Sequence, residues 1–253
     1  MNIAIITGAS SGIGEEFALQ ISNKYSDLDE IWIIARRKDR LEILSDKLRA
    51  KARILTLDLA LDSDLRQFKN ELDLISPSVQ ILVNCAGFGK IGPFALGSYE
   101  EEVGMVNVNC KALTAVTYFV LPYMKEHGSI IQISSAAAFL PQPDFAVYAA
   151  SKAYVLSFSR ALKYELHKRK INVTAICPGP VDTAFFDKAD PDNQGKQYKK
   201  IFRVKPQKVV TKALKDSTLG NELSIYGWPM KCVFAFSKIL PHKLILKLVY
   251  ETH

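Results

Sequence analysis

Cysteine is scarce: the 253 residues hold four, Cys85, Cys110, Cys177 and Cys232, widely spaced and with no CxxC pair. That pattern argues against a disulfide framework or a structural zinc site. It reads instead as small buried hydrophobes in a reducing compartment. Histidine is as rare. His127, His167, His242 and His253 show no ligand spacing, so they are read as surface residues and no metal is expected. Long apolar runs are missing too. Residues 3–6 are too few for a signal-peptide core, and the apolar stretch 232–250 is interrupted by Lys238, His242, Lys243 and Lys247. As it stands that stretch cannot span a bilayer. The expected location is cytoplasmic. The chain also lacks internal repeats, low-complexity tracts and linkers, and with 48% hydrophobic and 23% charged residues disorder is excluded.

Positive charge, by contrast, is in surplus and unevenly placed. The net charge is +7, yet residues 1–193 carry 21 basic and 23 acidic side chains while residues 194–253 carry 12 and 3. Such a surplus suits nucleic acid, a membrane surface or an anionic substrate. No helix-turn-helix, zinc finger or aromatic–basic pattern accompanies it, so nucleic acid is not an expected partner. Lys196, Lys199, Lys200, Arg203, Lys205, Lys208, Lys212 and Lys215 follow one another with no acid until Asp216. One reading is a solvated helix face. The other is a cationic lid that attracts an anionic substrate or handle, or a basic C-terminal region resting on an anionic membrane surface.

Hydrophobic patterning points to an α/β fold. Residues 3–7, 31–35, 53–57, 81–84, 130–134 and 172–177 are short runs rich in Ile and Val, as expected of strands buried on both faces of a parallel sheet. Between them lie segments with helical spacing, such as Phe17 and Ile21, or Leu41, Leu44 and Leu48. This alternation predicts one doubly wound domain over 1–253. After Pro178 the rhythm breaks, with Pro178, Gly179, Pro180, Pro191 and Gly195 among polar residues. Ligands in such folds sit beyond the carboxyl ends of the strands, so 178–220 is read as a substrate lid. Residues 221–253 are read as a C-terminal strand and helical extension.

The first strand runs into Thr7-Gly8-Ala9-Ser10-Ser11-Gly12-Ile13-Gly14. A glycine turn between a buried strand and a helix lets backbone approach a pyrophosphate, which the helix N-terminus then attracts. The second strand ends in Ala35-Arg36-Arg37-Lys38 rather than in a carboxylate. A cationic cluster there can pair with a ribose 2′-phosphate, so NADP(H) is expected over NAD(H); the alternative is a solvated basic turn. Asp58 is placed to accept from an adenine amine or to cap a helix.

Tyr148 and Lys152 stand four residues apart in a helical stretch, adjacent on one face. An ammonium beside a phenol favours the phenolate, and a phenol so tuned could exchange a proton with an alcohol or ketone. Ser135 closes the fifth strand, where a ligand crevice would open.

Together these pieces resemble the short-chain dehydrogenase/reductase family over essentially the whole chain: the glycine turn, Asn84-Cys85-Ala86-Gly87, Val108-Asn109, Ser135, the YxxxK pair and Pro178-Gly179, in order and in register. The resemblance implies a Rossmann-type, mostly parallel seven-stranded sheet with helices on both faces. It implies Tyr148 as general acid or base, with Lys152 lowering its pKa and holding the nicotinamide ribose. Ser135 would bond the substrate oxygen, and Asn109 would position a relay water. It places cofactor contacts at Gly8, Ser10, Ser11, Gly12, Ile13, Gly14, Arg36, Arg37, Asp58, Leu59, Asn84, Ala86, Gly87, Tyr148, Lys152, Pro178, Gly179, Val181 and Thr183. Cys85 departs from the family's usual asparagine, with a modest effect expected on that turn.

For substrate, Ser135, Tyr148, Phe139 and Phe185 are candidates, with Phe88, Phe145 and Phe186 as further wall residues. Trp228-Pro229-Met230, Phe234 and Phe236 look like the subgroup acting on steroid-like or long-chain acyl carbonyls. The competing reading is a non-catalytic dinucleotide sensor or scaffold on the same fold. Family members commonly form homodimers or homotetramers through long helices, here about 101–125 and 146–170.

Overall fold

Both faces of a parallel strand are covered by helices, so its inward and outward residues must both be apolar. The computed structural model, which describes residues 1–190 and 203–250, shows this directly. Strands β1 (Asn2–Thr7), β2 (Glu30–Ala35), β3 (Lys51–Thr56), β4 (Ser78–Asn84), β5 (Met124–Ile133) and β6 (Asn172–Ile176) match the six apolar runs. A two-residue β7 (Leu223–Ser224) completes a seven-stranded sheet ordered β3-β2-β1-β4-β5-β6-β7, parallel throughout. Successive residues alternate between two cores. Ile3, Ile5, Trp32, Ile34 and Leu82 enter one; Ala4, Ile6, Ile31, Ile33 and Val83 enter the other.

The helices divide accordingly. α3 (Asp62–Ile75), α5 (Leu113–Val120) and α6 (Ala146–Glu165) supply Phe68, Val116 and Leu162 to the first core. α1 (Gly12–Lys24) and α2 (Lys38–Ser45) supply Phe17, Ile21, Leu41 and Leu44 to the second. α4 (Tyr99–Val106) joins α5 through a wider π-helical turn, Asn107–Ala112. The helix expected over 101–125 therefore spans Tyr99–Tyr123, and residues 124–125 already belong to β5. A short α7 (Phe185–Ala189) follows the β6 turn. α8 (Pro206–Thr218) returns to the second core with Val209, Val210, Ala213 and Leu214. α9 (Trp228–Ile239) and α10 (His242–Tyr250) close the described chain.

Strand order reverses between β1 and β4. Connections leave in opposite directions there, so a crevice opens beyond the strand ends, lined by the β1, β4 and β5 loops.

Candidate active site

The loop after β1 is built by contacts that exclude side chains. Thr7 Oγ1 accepts from the Cys85 and Ala86 N–H groups, both at 3.1 Å, tying the ends of β1 and β4 together. Gly8 has φ +68°, and a Cβ there would lie 2.7 Å from the Ala86 nitrogen. A Cβ on Gly14 would collide with the Gly8 carbonyl. These two glycines let the α1 N-terminus approach the sheet end. Ser11 precedes α1 without capping it. Its Oγ instead accepts from Arg37 Nη2 at 2.9 Å, as Ser10 Oγ does at 3.0 Å. The end of β2 is thus strapped to the glycine turn by a guanidinium. Arg36 pairs with Asp58 at 3.7 Å. The other Asp58 oxygen accepts from the Ala60 N–H, and Leu61 occupies the N-cap of α3, so Asp58 makes a local turn rather than the helix cap.

At the far end of the crevice, Ser135, Tyr148 and Lys152 line one cleft of about 910 Å³ together with the glycine turn. Tyr148 and Lys152 are buried on α6, one turn apart, with Nζ 5.6 Å from the phenol ring centre. Tyr148 stacks on Phe145 (centroids 4.2 Å apart) and abuts Phe185 (5.5 Å). Lys152 donates from Nζ to the Ile133 carbonyl at 2.9 Å, which fixes it beneath the end of β5. Gly87 keeps this floor clear, since a Cβ there would stand 2.8 Å from Asn109 Oδ1 and 3.3 Å from Lys152 Nζ.

Burial sets the electrostatics. It pushes the Tyr148 phenol up to about 12, with the Ser135 hydrogen bond pulling the other way. It pulls the Lys152 ammonium down to about 8. Desolvation of a phenolate outweighs the Ser135 hydrogen bond, so the phenol is raised in this cleft. At neutral pH Tyr148 holds its proton.

A sequence model of the family described as short chain dehydrogenase matches residues 2–194. The chain belongs to this family. It is 28% identical over 255 aligned positions to 11-beta-hydroxysteroid dehydrogenase-like 4A of Arabidopsis thaliana, covering 97% of this chain and 83% of that protein. It is 34% identical over 184 positions to a very-long-chain 3-oxoacyl-CoA reductase of Aspergillus oryzae, covering 68% of this chain and 52% of that one. A short-chain dehydrogenase from Sphingobium yanoikuyae in complex with NADPH superposes with a TM-score of 0.81 at 26% identity, covering 97% and 95% of the two chains. A 3-ketoacyl-(acyl-carrier-protein) reductase from Brucella melitensis complexed with NADH gives 0.75 at 26% identity, covering 88% and 94%. This dehydrogenase is an oxidoreductase whose cofactor is a nicotinamide dinucleotide and whose substrate is a small molecule. The crevice fits that group: glycines leave room along the α1 N-terminus and over Lys152, and hydroxyls and guanidinium groups gather at one end.

Not every candidate of the dehydrogenase reaches the cleft. Gly14 lies behind the glycine turn. Asn84 is buried beneath it, donating to Thr117 Oγ1 at 2.9 Å. Asn109 is fully buried in the π-helical turn, and its amide is committed to the Phe88 backbone and Ser151. Phe139 packs on Phe234 (centroids 4.9 Å apart) in a separate cluster, so it is not a wall residue. Phe88, Phe145, Phe185 and Phe186 are. The wall also includes Lys90 and Glu101, an ion pair at 3.2 Å, and Met230 and Leu246; the apolar character of 228–250 was the only signal for the last two.

The basic segment is described only in part, and its described lysines follow the helix-face reading. Lys196, Lys199, Lys200, Pro191, Gly195 and His253 lie outside the described residues. Arg203 pairs with Asp182 at 3.9 Å and lies over the Phe186 ring. Lys208, Lys212 and Lys215 belong to α8, which packs against α1 through Gln207–Glu16 and Thr211–Gln20 contacts. They line a helix face, not the cleft. Cys232 is exposed rather than buried.

Proposed function

We propose that the enzyme is an NADP(H)-dependent reductase of apolar ketones, working on steroid-like or long-chain acyl carbonyls, and interconverting them with the secondary alcohols. The observation that carries this reading is a proton-loaded Tyr148 at the floor of an aromatic-walled cleft, bonded to Ser135 and one helical turn from Lys152. The cofactor, when bound, supplies the hydride to the carbonyl carbon or takes it back from the alcohol. Tyr148 delivers its proton to the carbonyl oxygen, and Ser135 gives that oxygen a second donor. Both bonds strengthen as negative charge grows on the oxygen, so they favour the transition state over the bound ketone. Lys152 would hold the nicotinamide ribose of the bound cofactor and support reprotonation of Tyr148. Asn109 braces the floor of the cleft through its side-chain bonds to the Phe88 backbone and Ser151.

Preference for NADPH is supported by Arg37. Its guanidinium already gathers the Ser10 and Ser11 hydroxyls, a donor cluster suited to a 2′-phosphate. A steroid-like or acyl substrate is supported by the Phe88, Phe145 and Phe185 wall and by the names of the relatives above. We propose a cytoplasmic enzyme that forms a homodimer or homotetramer. Tyr118, Tyr154 and Tyr164, exposed on α5 and α6, are the surface for self-association.

NADPH oxidation by Tyr148→Phe, assayed against a panel of long-chain and cyclic ketones, tests the assignment. Losing the proton donor lowers kcat by at least about a hundredfold with NADPH binding intact. Full turnover by the variant would overturn the catalytic role.

A further inference from the structure

Apolar residues on a helix belong against a core, yet α9 carries them on two sides and is buried on one only. Its inward stripe, Met230, Phe234 and Ser237, packs over Gly179 and Phe139. A second stripe at helical spacing, Trp228, Cys232, Phe236 and Ile239, is exposed, with Trp228 and Ile239 each at 76% and Phe236 at 58%. Pro241 turns the chain into α10, where Leu244 is 46% exposed while Ile245 and Leu246 reach the cleft. Around these apolar groups stand Lys231, Lys238, Lys243 and Lys247, all exposed. No acidic residue occurs between Glu222 and Glu251.

We propose that the outer face of α9 and α10 docks the enzyme on an anionic phospholipid surface, with the cleft opening at that contact. An apolar stripe edged by lysines and free of acids matches the chemistry of an acyl–headgroup boundary, which takes up apolar side chains and attracts cations. Trp228 at the start of α9 carries the ring type that favours that boundary. Charge also speaks against a second copy of the chain as occupant, because two such faces would bring eight lysines together. Val233, Phe236 and Leu240 contribute to the cleft wall as well as to this face or its edge. An apolar ketone dissolved in the bilayer therefore meets the cleft without crossing water.

The full chain is mixed with phosphatidylcholine vesicles, with and without phosphatidylserine, and binding is followed by flotation and by tryptophan emission. Only two tryptophans are present, and Trp32 is sealed in the core, so a blue shift on binding reports Trp228. Binding is expected with phosphatidylserine and is weakened by salt. The triple variant Trp228→Ser, Ile239→Ser, Leu244→Ser binds at least about tenfold more weakly, having lost three insertable side chains. Its turnover of a water-soluble ketone stays at the wild-type level, since none of the three lines the cleft, while its KM for a long-chain ketone carried in vesicles rises. Replacing the four lysines by glutamine removes the preference for phosphatidylserine and leaves the apolar stripe in place. Absence of flotation with phosphatidylserine overturns the proposal, as does undiminished binding by the triple variant. So does a lipid-free dimer whose formation alone shifts Trp228 emission. The binding arms do not involve Tyr148, so failure of docking and failure of the catalytic assignment are separable.

Discussion

Lys152 carries its charge with little exposure to water, and the fold bears the cost. Its amine sits near a pKa of about 8 in the native state against an ordinary 10.5. That difference is worth about 3 kcal/mol. Because the folded value is the lower one, the unfolded chain binds the extra proton between about pH 8 and 10.5. The cost is therefore complete below pH 8 and is relieved as pH rises through that window. Lys152→Met keeps the length of the side chain, removes the penalty, and gives up one charge-assisted hydrogen bond to the Ile133 carbonyl, worth about 1.5–3 kcal/mol. The variant is expected to melt no lower than wild type at pH 7 and up to a few degrees above it, with the gap closing toward pH 10, and to be inactive. Melting curves across that range check the sign; a variant less stable than wild type at pH 7 would mean the ammonium is not the strained group. In the wild type, ketone reduction falls as pH climbs past 8 and Lys152 loses the charge that supports Tyr148.

Among the elements, the turn into α1 sets two rules against each other. Helix propensity alone would make Gly14→Ala stabilising by about 1 kcal/mol. Contact decides otherwise, because the new Cβ meets the Gly8 carbonyl. Gly8 cannot yield, being held at φ +68° against Ala86. Overpacking of this kind costs about 1–3 kcal/mol, so Gly14→Ala lowers the melting temperature and weakens dinucleotide binding; thermal denaturation and cofactor titration read both, and an unchanged or raised melting point would show that the turn can shift. The same local logic explains what was legible in the chain. Six strands stood out because burial on both faces, complete in β1 and β2 and partial in the edge strand β3, concentrates Ile and Val with few polar residues between them. β7 was not legible as a run, since two residues carry no period. Spacing placed Tyr148 and Lys152 side by side, for a helical turn fixes which residues are adjacent, and the strand end placed Ser135 at the same cleft. Spacing does not say which way a side chain leaves its element. Asn84 therefore turns to Thr117 beneath the sheet end, and Phe139 turns to Phe234, although both sit within a few residues of cleft groups. The wall supplied by α9 and α10 was invisible in detail, because an apolar residue reads alike whether it faces a core, a cleft or the outside.

Charge behaves as a property of the whole molecule only after folding has sorted it. Among the described residues, the surplus of the last sixty divides chiefly between α8 lysines beside α1 and α9–α10 lysines beside the cleft mouth, while the cations nearest the glycine turn, Arg36 and Arg37, come from the near-neutral body. Cofactor choice is read from that body. A ligand that binds only the folded chain raises its stability in proportion to the logarithm of its concentration over Kd, by about 2.7 kcal/mol at a hundredfold excess. If the Arg37 cluster receives the 2′-phosphate, NADPH raises the melting temperature more than NADH at equal concentration. Arg37→Ala then loses most of the NADPH increment and keeps that of NADH. A charge-assisted bond to phosphate is worth about 1.5–3 kcal/mol, so the variant's Kd for NADPH rises by roughly ten- to a hundredfold. Arg37 also straps β2 to the glycine turn through Ser10 and Ser11. A loss of stability without any cofactor is therefore expected on top of this, and the comparison that matters is the ligand-induced shift within each protein. Equal shifts with NADPH and NADH in wild type, or an unchanged NADPH shift in the variant, would remove Arg37 from cofactor selection and leave it a purely structural strap.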